Sequence, residues 1–372
     1  MITAAALLAP YAVPHQGTLG RMVKEADDDT RFPFQRDRDR IVHTHAFRRL
    51  QGKTQVFVAG EGDHYRTRLT HTVEVAQIAR DMARTLGVNE DLAECIALAH
   101  DLGHPPFGHA GEEEIDLWIR QYGSHFEHNE QTLRILTILE EHSPLVQGLN
   151  VNLEVLEGVM KHRESGIGNR TSGSGFFPPE FRFPIPDSRA LSLEAQIVNI
   201  ADEIAYSGHD CDDGLRAGLF SIADVSGTSL GKEAIGRSAH RRTSLRGGII
   251  HLLVRDVLAQ SERLIEENDI GNLDDVYASA EPLIAFSTSM KGSVGELRDF
   301  LHTRVYDAPA VRELTDEGRS IVRRLCEHYM EHPQEKILSL QKRIGSTLEE
   351  AVKDYVAGMT DSYAKERAND IE

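Results

Sequence analysis

Residues 100–112 read HDLGHPPFGHAGE, and this stretch decides how the rest of the chain is interpreted. Asn89 can cap a helix with a broad apolar face, and Gly103 followed by two prolines should end it. The pair His100-Asp101 therefore lies at the end of a predicted buried helix. Adjacent helical side chains point roughly 100° apart, so both can reach one ion only at such an end. An isolated pair is also consistent with a histidine near the helix dipole and an aspartate that caps a neighbouring group.

Helical periodicity dominates on both sides of this stretch, and alternating strand-like runs are few. Two weakly patterned segments, about 163–189 and about 224–247, interrupt it, and the first is expected to be a functional or mobile loop. The sequence therefore predicts an all-α, mainly helical fold. The other predicted helices cover about 70–87 with Thr70 as cap, about 109–122, about 126–141 and 191–206.

The composition excludes several classes of protein. The 372 residues include 41 Lys plus Arg and 59 Asp plus Glu, so the formal net charge is −18, which argues against a general nucleic-acid coat or bulk binding to anionic membranes. The three cysteines are scattered, which excludes a disulfide framework and a cysteine-based zinc site and fits a reducing cytosol. No apolar run reaches membrane-spanning length, and the apolar segment 1–13 lacks the basic start of a signal peptide. We therefore expect a packed N-terminal arm and a cytoplasmic protein.

Histidine and aspartate supply candidate metal ligands. Of the 18 histidines, nine lie between residues 43 and 128. His71 lies near the start of an earlier predicted helix, and Asp202 lies in a largely apolar later one, where an ionised carboxylate is costly unless it is paired or binds a metal. Together with His100 and Asp101, they would suit a divalent ion such as Mn, Fe, Co, Ni, Zn or Mg with positions left for water and substrate.

The pattern His71…His100-Asp101…Asp202 resembles the signature of the HD-domain metal-dependent phosphohydrolases. The surrounding sequence resembles, more narrowly, the deoxyguanosinetriphosphate triphosphohydrolase-like (dGTPase-like) family of dNTP triphosphohydrolases. The matching blocks occur in order over most of the chain, at 34–40, 46–50, 53–57, 66–72, 100–112, 201–206, 209–214 and 354–361.

The resemblance implies an HD-domain core with additional C-terminal helices. We expect an N-terminal arm over 1–30, a catalytic core over 31–220 and a C-terminal helical region over 221–372 packed on that core. The block 354–361 carries no obvious chemistry, and we interpret it as the last helix closing over the core. We interpret His104, which lies within the HD stretch, as a structural residue.

The resemblance also implies roles for individual residues. His71, His100, Asp101 and Asp202 would hold one divalent metal ion. Glu112 would orient and charge-stabilise His109, because residues three apart at the start of a helix can face the same site. His109 could then protonate the 5′ oxygen as the nucleoside leaves, which is the role we favour, or assist the attack at phosphorus. The alternative is that His109 only supports the start of the helix.

A triphosphate requires local positive charge, and residues 21–68 supply it with 11 Lys or Arg against 8 Asp or Glu. The Arg-Asp alternation at 36–40 could instead form internal salt bridges. By resemblance, the phosphate contacts are assigned to Arg49, Arg68, His128 and Lys161.

The deoxyribose contacts implied by the resemblance are Gln55, Tyr206 and Asp210. Tyr206 and Asp210 follow Asp202 by four and eight residues, so all three share one helical face. A tyrosine ring packed under C2′ could exclude a 2′-hydroxyl, while Gln55 and Asp210 bond the 3′-hydroxyl. Ordinary core packing is the alternative for Tyr206.

The resulting hypothesis is a metal-dependent dNTP triphosphohydrolase that releases a deoxynucleoside and inorganic triphosphate. One alternative is an HD-domain phosphohydrolase that acts on another nucleotide phosphoester. A second alternative is a non-catalytic regulator that binds dNTP or single-stranded DNA. The resemblance further implies a homo-oligomer and a nucleotide effector at a secondary site, and a single-stranded DNA effector also fits.

Overall fold

A computed structural model describes residues 7–26, 28, 30–55, 66–160 and 190–371 of the chain. Within these ranges the regular structure is helical, and extended pairing is limited to isolated bridges such as that between Arg21 and Asn152. The predicted all-α class is therefore confirmed. None of the described helices is both long enough and apolar enough to cross a membrane.

The helices described up to residue 216 are α1 (Pro33–Val42), α2 (His45–Arg49), α3 (Arg68–Thr85), α4 (Glu90–Ala99), α5 (Gly108–Arg120), α6 (His128–Arg134), α7 (Leu153–Met160) and α8 (Leu193–Arg216). A short 3-10 helix, Leu50–Gly52, follows α2, and a π-helical segment, Ile135–Leu139, continues α6. Helices α3, α4 and α8 pack against one another, and α1 and α7 also pack on α4.

The helices described after residue 216 are α9 (Ile222–Val225), α10 (Ser229–Arg241), α11 (Leu245–Glu267), α12 (Leu273–Ala278), α13 (Thr288–Leu301), α14 (Pro309–Glu331), α15 (Glu335–Ile344), α16 (Leu348–Ala357) and α17 (Asp361–Asp370). Helix α11 packs on α8, whereas α14 packs on α5 and α16. A π-helical segment, His302–Tyr306, follows α13.

Helix starts follow the capping chemistry of the sequence, with one correction. Asn89 caps α4 as predicted, since its side chain accepts from the backbone N–H of Leu92. The predicted cap of α3, Thr70, is wrong: Thr67 is the cap, and Thr70 lies three residues into the helix. The Thr70 hydroxyl accepts from the Thr67 N–H at 3.1 Å, completing a reciprocal capping box that a single threonine could not form.

Two helix boundaries differ from the sequence-based expectation. The helix predicted over 191–206 begins at Leu193 and continues to Arg216, because small and polar residues beyond 206 are still compatible with its buried face. The segment 224–247, predicted to be weakly structured, contains the whole of α10. The Thr228 hydroxyl caps that helix, and tertiary packing against α11 and α13 compensates for its modest apolar pattern. The predicted loop 163–189 lies outside the described residues.

The buried apolar side chains form two clusters. The larger one extends from Ala12 to Val305 and includes the facing sides of α3, α4 and α8. The smaller one joins Trp118 of α5 with Leu325 of α14 and Val352 of α16. The HDLGHPPFGHAGE stretch connects them, because Leu102 belongs to the first cluster and Phe107 to the second. The division of the chain at residues 30 and 220 stays a prediction.

The described part of the N-terminal arm is packed on the core. Val13 is fully buried, and its backbone N–H donates to Glu194 Oε1 at 3.0 Å. The Arg-Asp alternation at 36–40 forms ion pairs, which supports the salt-bridge interpretation over a phosphate site. The pairs are Arg36 with Glu25, Asp37 with Arg21, Arg38 with Glu94, Asp39 with Arg31, and Arg40 with Glu25.

Candidate metal centre and active site

Three helices bring the four predicted metal ligands together. His71 lies in the first turns of α3, His100 and Asp101 follow the last residue of α4, and Asp202 lies on α8. His71, His100 and Asp101 are each at most 2% exposed. The end of α4 lets adjacent residues face one point, as the HD pair requires.

The four side chains converge on a common point. The His71 Nε2 atom lies 3.0 Å from Asp202 Oδ1 and 3.8 Å from Asp101 Oδ2. The His100 Nε2 atom lies 3.4 Å from Asp101 Oδ1 and 3.8 Å from Asp202 Oδ1. Two imidazole nitrogens and two carboxylates at these separations form a donor set that suits a divalent ion.

A hydrogen bond at Nδ1 of His100 explains why its Nε2 atom faces the carboxylates. His100 Nδ1 lies 2.6 Å from the carbonyl oxygen of Ala97, which can only accept, so Nδ1 carries the hydrogen. In the neutral ring, Nε2 then presents a lone pair towards Asp101 and Asp202. A lone pair that faces carboxylate oxygens is repulsive unless a cation or a proton lies between them, so these residues fit a metal ion.

The charges around this point favour an ionised aspartate. Burial raises the pKa of Asp101, but the electrostatic interactions with His100, Arg68 and His104 outweigh it and hold that pKa well below its usual value. Burial lowers the pKa of His71, but its hydrogen bond to Asp202 and the charges of both aspartates raise it overall. A proton and a cation therefore compete for His71 Nε2.

A second polar cluster lies beside the first. Glu112 Oε1 accepts from His128 Nδ1 at 2.9 Å and from the His128 backbone N–H at 3.0 Å, and its Oε2 lies 3.3 Å from His109 Nδ1. Burial raises the pKa of Glu112, but the charge of His128 and the hydrogen bond with His109 lower it far below its usual value. The geometry brings together the predicted pair, and His109 keeps a side chain that is 52% exposed.

His104 connects the two clusters, although the sequence suggested only a structural role. Its Nε2 lies 3.3 Å from Asp101 Oδ1, and its ring stacks on His128 with centroids 4.0 Å apart. His104 is fully buried. With Glu112 and His128 it forms another group of side chains close enough to hold an ion. The signal in the sequence was its position, three residues after Asp101 and inside the same motif.

The backbone of the HPPFGH turn aims His109 at this region. Phe107 and Gly108 both have left-handed conformations, with φ of 62° and 58°, which reverse the chain at the start of α5. Gly111 has no room for a side chain, because a Cβ atom would lie 2.0 Å from the Pro106 carbonyl oxygen. The Phe107 N–H is held by Asp361 Oδ1 at 3.0 Å.

The block 354–361 is part of the site's framework, which corrects its interpretation as a simple closing helix. Lys53 Nζ donates to the carbonyl oxygens of His104 and Ala357. Asp361 accepts from Thr54 as well as from Phe107. Burial and the charge of Arg49 lower the pKa of Lys53 to about 7. The sequence could not reveal these bonds, because their partners lie 51 to 307 residues apart.

The predicted phosphate contacts lie in different places. Arg68 Nη1 is 3.0 Å from Asp101 Oδ2, and His128 lies in the Glu112 cluster. Arg49 instead lines a cavity of about 460 Å³, together with Glu140, Tyr355 and Met359 among others, and none of the four predicted metal ligands lines this cavity. Lys161 lies outside the described residues.

Two of the predicted sugar contacts, Tyr206 and Asp210, lie on α8 with Asp202. The third, Gln55, lies before α3. Asp210 is buried, accepts from the Tyr306 hydroxyl and lies 3.2 Å from His209 Nδ1. The rings of Tyr206 and Tyr306 are parallel within 3°, with centroids 6.2 Å apart. Gln55 has a buried Oε1 without a hydrogen-bond partner among the described residues. Tyr306 was not identified from the sequence.

Comparison with known families agrees with this geometry. Residues 68–207 match the HD domain, and residues 284–370 match the phosphohydrolase-associated domain. The matched HD segment begins at Arg68 and contains all four converging ligands, so the protein is an HD-domain phosphohydrolase, a class that binds divalent metal.

Full-length relatives narrow the class. Proteins named deoxyguanosinetriphosphate triphosphohydrolase-like are 42% identical in Caulobacter vibrioides, Geobacter sulfurreducens and Azoarcus sp.. The matches cover 96% of this chain and 94%, 93% and 94% of those relatives, respectively. The chain belongs to the deoxyguanosinetriphosphate triphosphohydrolase-like family, which confirms the resemblance found in the sequence.

Proposed function

We propose that the protein is a divalent-metal-dependent triphosphohydrolase that converts a dNTP and water into a deoxynucleoside and inorganic triphosphate. The convergence of His71, His100, Asp101 and Asp202 beside the Glu112 cluster is the observation that carries the proposal. The names of the relatives support a deoxynucleoside triphosphate as the substrate class.

His71, His100, Asp101 and Asp202 would hold the ion, which is one of Mn, Mg, Fe, Co, Ni or Zn. When bound, it would lower the pKa of a water molecule towards about 7 and polarise an oxygen of the α-phosphate. The buried carboxylate of Asp101 contributes charge to this site, and Arg68 fixes its orientation through Oδ2.

His109 is proposed to donate the proton that the leaving group needs. The water oxygen forms a bond to the α-phosphorus, the bond from phosphorus to the 5′ oxygen breaks, and His109 protonates that oxygen. Glu112 supports this role, because it holds Nδ1 of His109, whose side chain is 52% exposed and so open to a substrate. The triphosphate leaves with the oxygen of water.

The substrate contacts follow from the positions of the remaining residues. Arg68 and His128 lie at the two clusters, and we assign them to the phosphates. Lys161 stays a predicted phosphate contact. Arg49 lines a different cavity, so its side chain would have to move to contact the same phosphates.

Gln55, Tyr206 and Asp210 are proposed to bind the deoxyribose. The buried Oε1 of Gln55 is an acceptor for a hydroxyl, and the Asp210 carboxylate is a second one. The Tyr206 ring would occupy the space that a ribose 2′-hydroxyl needs, which favours a deoxynucleotide.

A product assay tests the reaction. The purified protein is incubated with each of the four dNTPs, alone and in mixtures, in the presence of Mn or Mg, and the products are separated. We expect deoxynucleoside and inorganic triphosphate in equal amounts. Pyrophosphate with dNMP, or phosphate with dNDP, would contradict the reaction as written. A ribonucleoside triphosphate panel tests the proposed role of Tyr206.

The same assay separates the alternatives. Turnover of a nucleoside monophosphate or a cyclic nucleotide, without turnover of any dNTP, would indicate another phosphoester substrate. Binding of dNTP or single-stranded DNA without product would indicate a regulator. Acceleration in mixtures, or on addition of single-stranded DNA, would indicate an effector site, and sedimentation would test the expected homo-oligomer. A cytoplasmic location is also expected, since the three cysteines are free and buried.

A further inference from the structure

His209 connects the candidate metal centre to the predicted sugar-binding side chains. Its Nε2 atom lies 2.8 Å from Nδ1 of His71, and its Nδ1 atom lies 3.2 Å from Oδ1 of Asp210. The second oxygen of Asp210 accepts from the hydroxyl of Tyr306. The four side chains therefore form a continuous chain of polar contacts, in which His71, His209 and Asp210 are buried.

The carboxylate of Asp210 determines where the hydrogens of the two histidines lie. A carboxylate oxygen can only accept, so the hydrogen of His209 lies on Nδ1, and its Nε2 is left with a lone pair. That lone pair accepts the hydrogen of His71 Nδ1. In the neutral ring of His71, the remaining nitrogen, Nε2, is then free of hydrogen and faces Asp202 at 3.0 Å.

We infer that His209 is a positioning residue for the metal ion: it holds His71 in the tautomer that offers Nε2 as a ligand. Asp210 and Tyr306 anchor His209 in turn, so the same carboxylate serves the metal centre and the proposed sugar site. This inference rests on the proposed metal site. It does not rest on the nature of the reaction.

The spacing along α8 explains how one helix achieves this. Asp202 and His209 are seven residues apart, which corresponds to about two helical turns, so both point to the same side of α8. His71, on the facing helix α3, is thereby contacted from α8 at both ring nitrogens. Asp202 approaches Nε2 and His209 approaches Nδ1, which fixes the plane of the ring as well as its tautomer.

The test compares His209→Leu with His209→Gln in the full-length protein. Leucine removes both polar atoms, whereas the side-chain oxygen of glutamine can still accept from His71 Nδ1. Mn²⁺ affinity is measured by competition with a chelator, without substrate. We expect the leucine variant to bind Mn²⁺ about 10- to 100-fold more weakly and the glutamine variant to recover most of this loss. Cys211→Ala, a buried change two residues further along α8, should keep the wild-type affinity.

A spectroscopic measurement separates positioning from general damage. In the metal-free protein with ¹⁵N-labelled histidine, at a pH where the His71 ring is neutral, His71 should carry its hydrogen on Nδ1 in the wild type and in the glutamine variant. In the leucine variant this tautomer should be lost, while the circular dichroism spectrum stays that of a folded protein. An unchanged Mn²⁺ affinity and tautomer in His209→Leu would overturn the inference. A glutamine variant as weak as the leucine variant would also do so.

These measurements are independent of hydrolysis. A wild-type protein that binds Mn²⁺ but releases no triphosphate would contradict the proposed function and leave the role of His209 intact. If the wild-type protein hydrolyses dNTP and His209→Leu binds Mn²⁺ as tightly as the wild type, the role of His209 is contradicted and the proposed function is supported.

Discussion

Thr54 donates to Asp361 twice, through its backbone N–H at 3.0 Å and through its hydroxyl, across a separation of 307 residues. The other oxygen of Asp361 accepts the N–H of Phe107 at 3.0 Å. One buried carboxylate near the end of the chain thus holds both the residue before Gln55 and the left-handed turn before His109.

The first prediction concerns this carboxylate. Asp361→Asn keeps the shape but replaces one acceptor oxygen with a donor, so at least one buried N–H loses its partner. We expect the free energy of unfolding to fall by about 1–3 kcal/mol, and turnover to fall with it. Urea unfolding and the product assay measure both. Asp370→Asn, at the exposed end of α17, is the matched control and should change neither. Wild-type stability and turnover in Asp361→Asn would contradict the proposed framework role.

The second prediction concerns the metal. Asp101→Asn removes a proposed charged ligand and leaves the buried Arg68 guanidinium without its carboxylate partner. We expect the variant to bind Mn²⁺ more than about 100-fold more weakly, a larger loss than that from a residue behind a ligand. Elemental analysis and chelator competition measure this loss. Asp81→Asn, exposed on α3, should retain the metal. Full metal content in Asp101→Asn would show that Asp101 is not a ligand.

The third prediction separates proton donation from metal binding. His109→Gln should lower kcat by about 10²- to 10⁴-fold, because glutamine can hydrogen-bond but cannot transfer a proton. Mn²⁺ affinity should stay at the wild-type value, since His109 is not among the four converging ligands. Steady-state kinetics and the chelator competition give the two values. A parallel loss of metal would assign His109 to the metal centre instead.

The fourth prediction concerns stability against pH. Burial raises the pKa of Glu194 from its ordinary value near 4.5 to about 7, so the folded protein holds a proton that the unfolded chain releases between these values. Unfolding is therefore increasingly favoured as the pH rises from 4.5 to 7, and this group lowers the free energy of unfolding by up to about 3 kcal/mol above pH 7.

The variant Glu194→Gln cannot ionise, and its side-chain oxygen can still accept from Val13 and Asn89. The difference in unfolding free energy between variant and wild type should grow in favour of the variant over this pH range. Thermal unfolding at several pH values measures it, with the exposed Glu331→Gln as the control. A difference that is constant with pH would refute the assignment.

The fifth prediction concerns backbone packing under the HD motif. A Cβ atom on Gly103 would lie 2.0 Å from the carbonyl oxygen of His128 and 2.4 Å from the N–H nitrogen of Thr132. Gly103→Ala should therefore force α6 away and destabilise the fold by about 1–3 kcal/mol. Gly236→Ala, inside α10 with nothing within 4 Å, should instead stabilise by about 0.5–1 kcal/mol. Opposite shifts in melting temperature are expected, and equal shifts would exclude the steric explanation.

The sequence predicted those parts of the fold and the candidate site that depend on local signals. Asn89 and Gly103 mark the limits of the α4 region, and the HD pair follows from where that helix ends. Thr70 was mistaken for a cap because Thr67 offers the same hydroxyl three residues earlier. Helix α10 was missed because its apolar positions are few and its stability depends on packing against α11 and α13.

Local sequence signals do not predict contacts between residues that are distant in the chain. Nothing near Asp361 or Lys53 indicates a partner, since each bonds to residues distant in the chain. The sequence predicts only a structural role for His104, because a histidine beside two prolines does not indicate a particular function. Only the fold shows that its side chain lies between Asp101 and His128. Tyr306 reaches Asp210 through a π-helical segment that no periodicity predicted.

Ala357 and Asp361, which hold Lys53, Thr54 and Phe107, follow every proposed metal ligand by more than 150 residues. A nascent chain in which residues up to about 300 have folded would already carry all of those proposed ligands, yet its HPPFGH turn would still lack the bond from Asp361 that holds it. The proposed hydrolysis is therefore expected to begin only after Asp361 has emerged from the ribosome. Copies truncated before Ala357 should be inactive in the product assay.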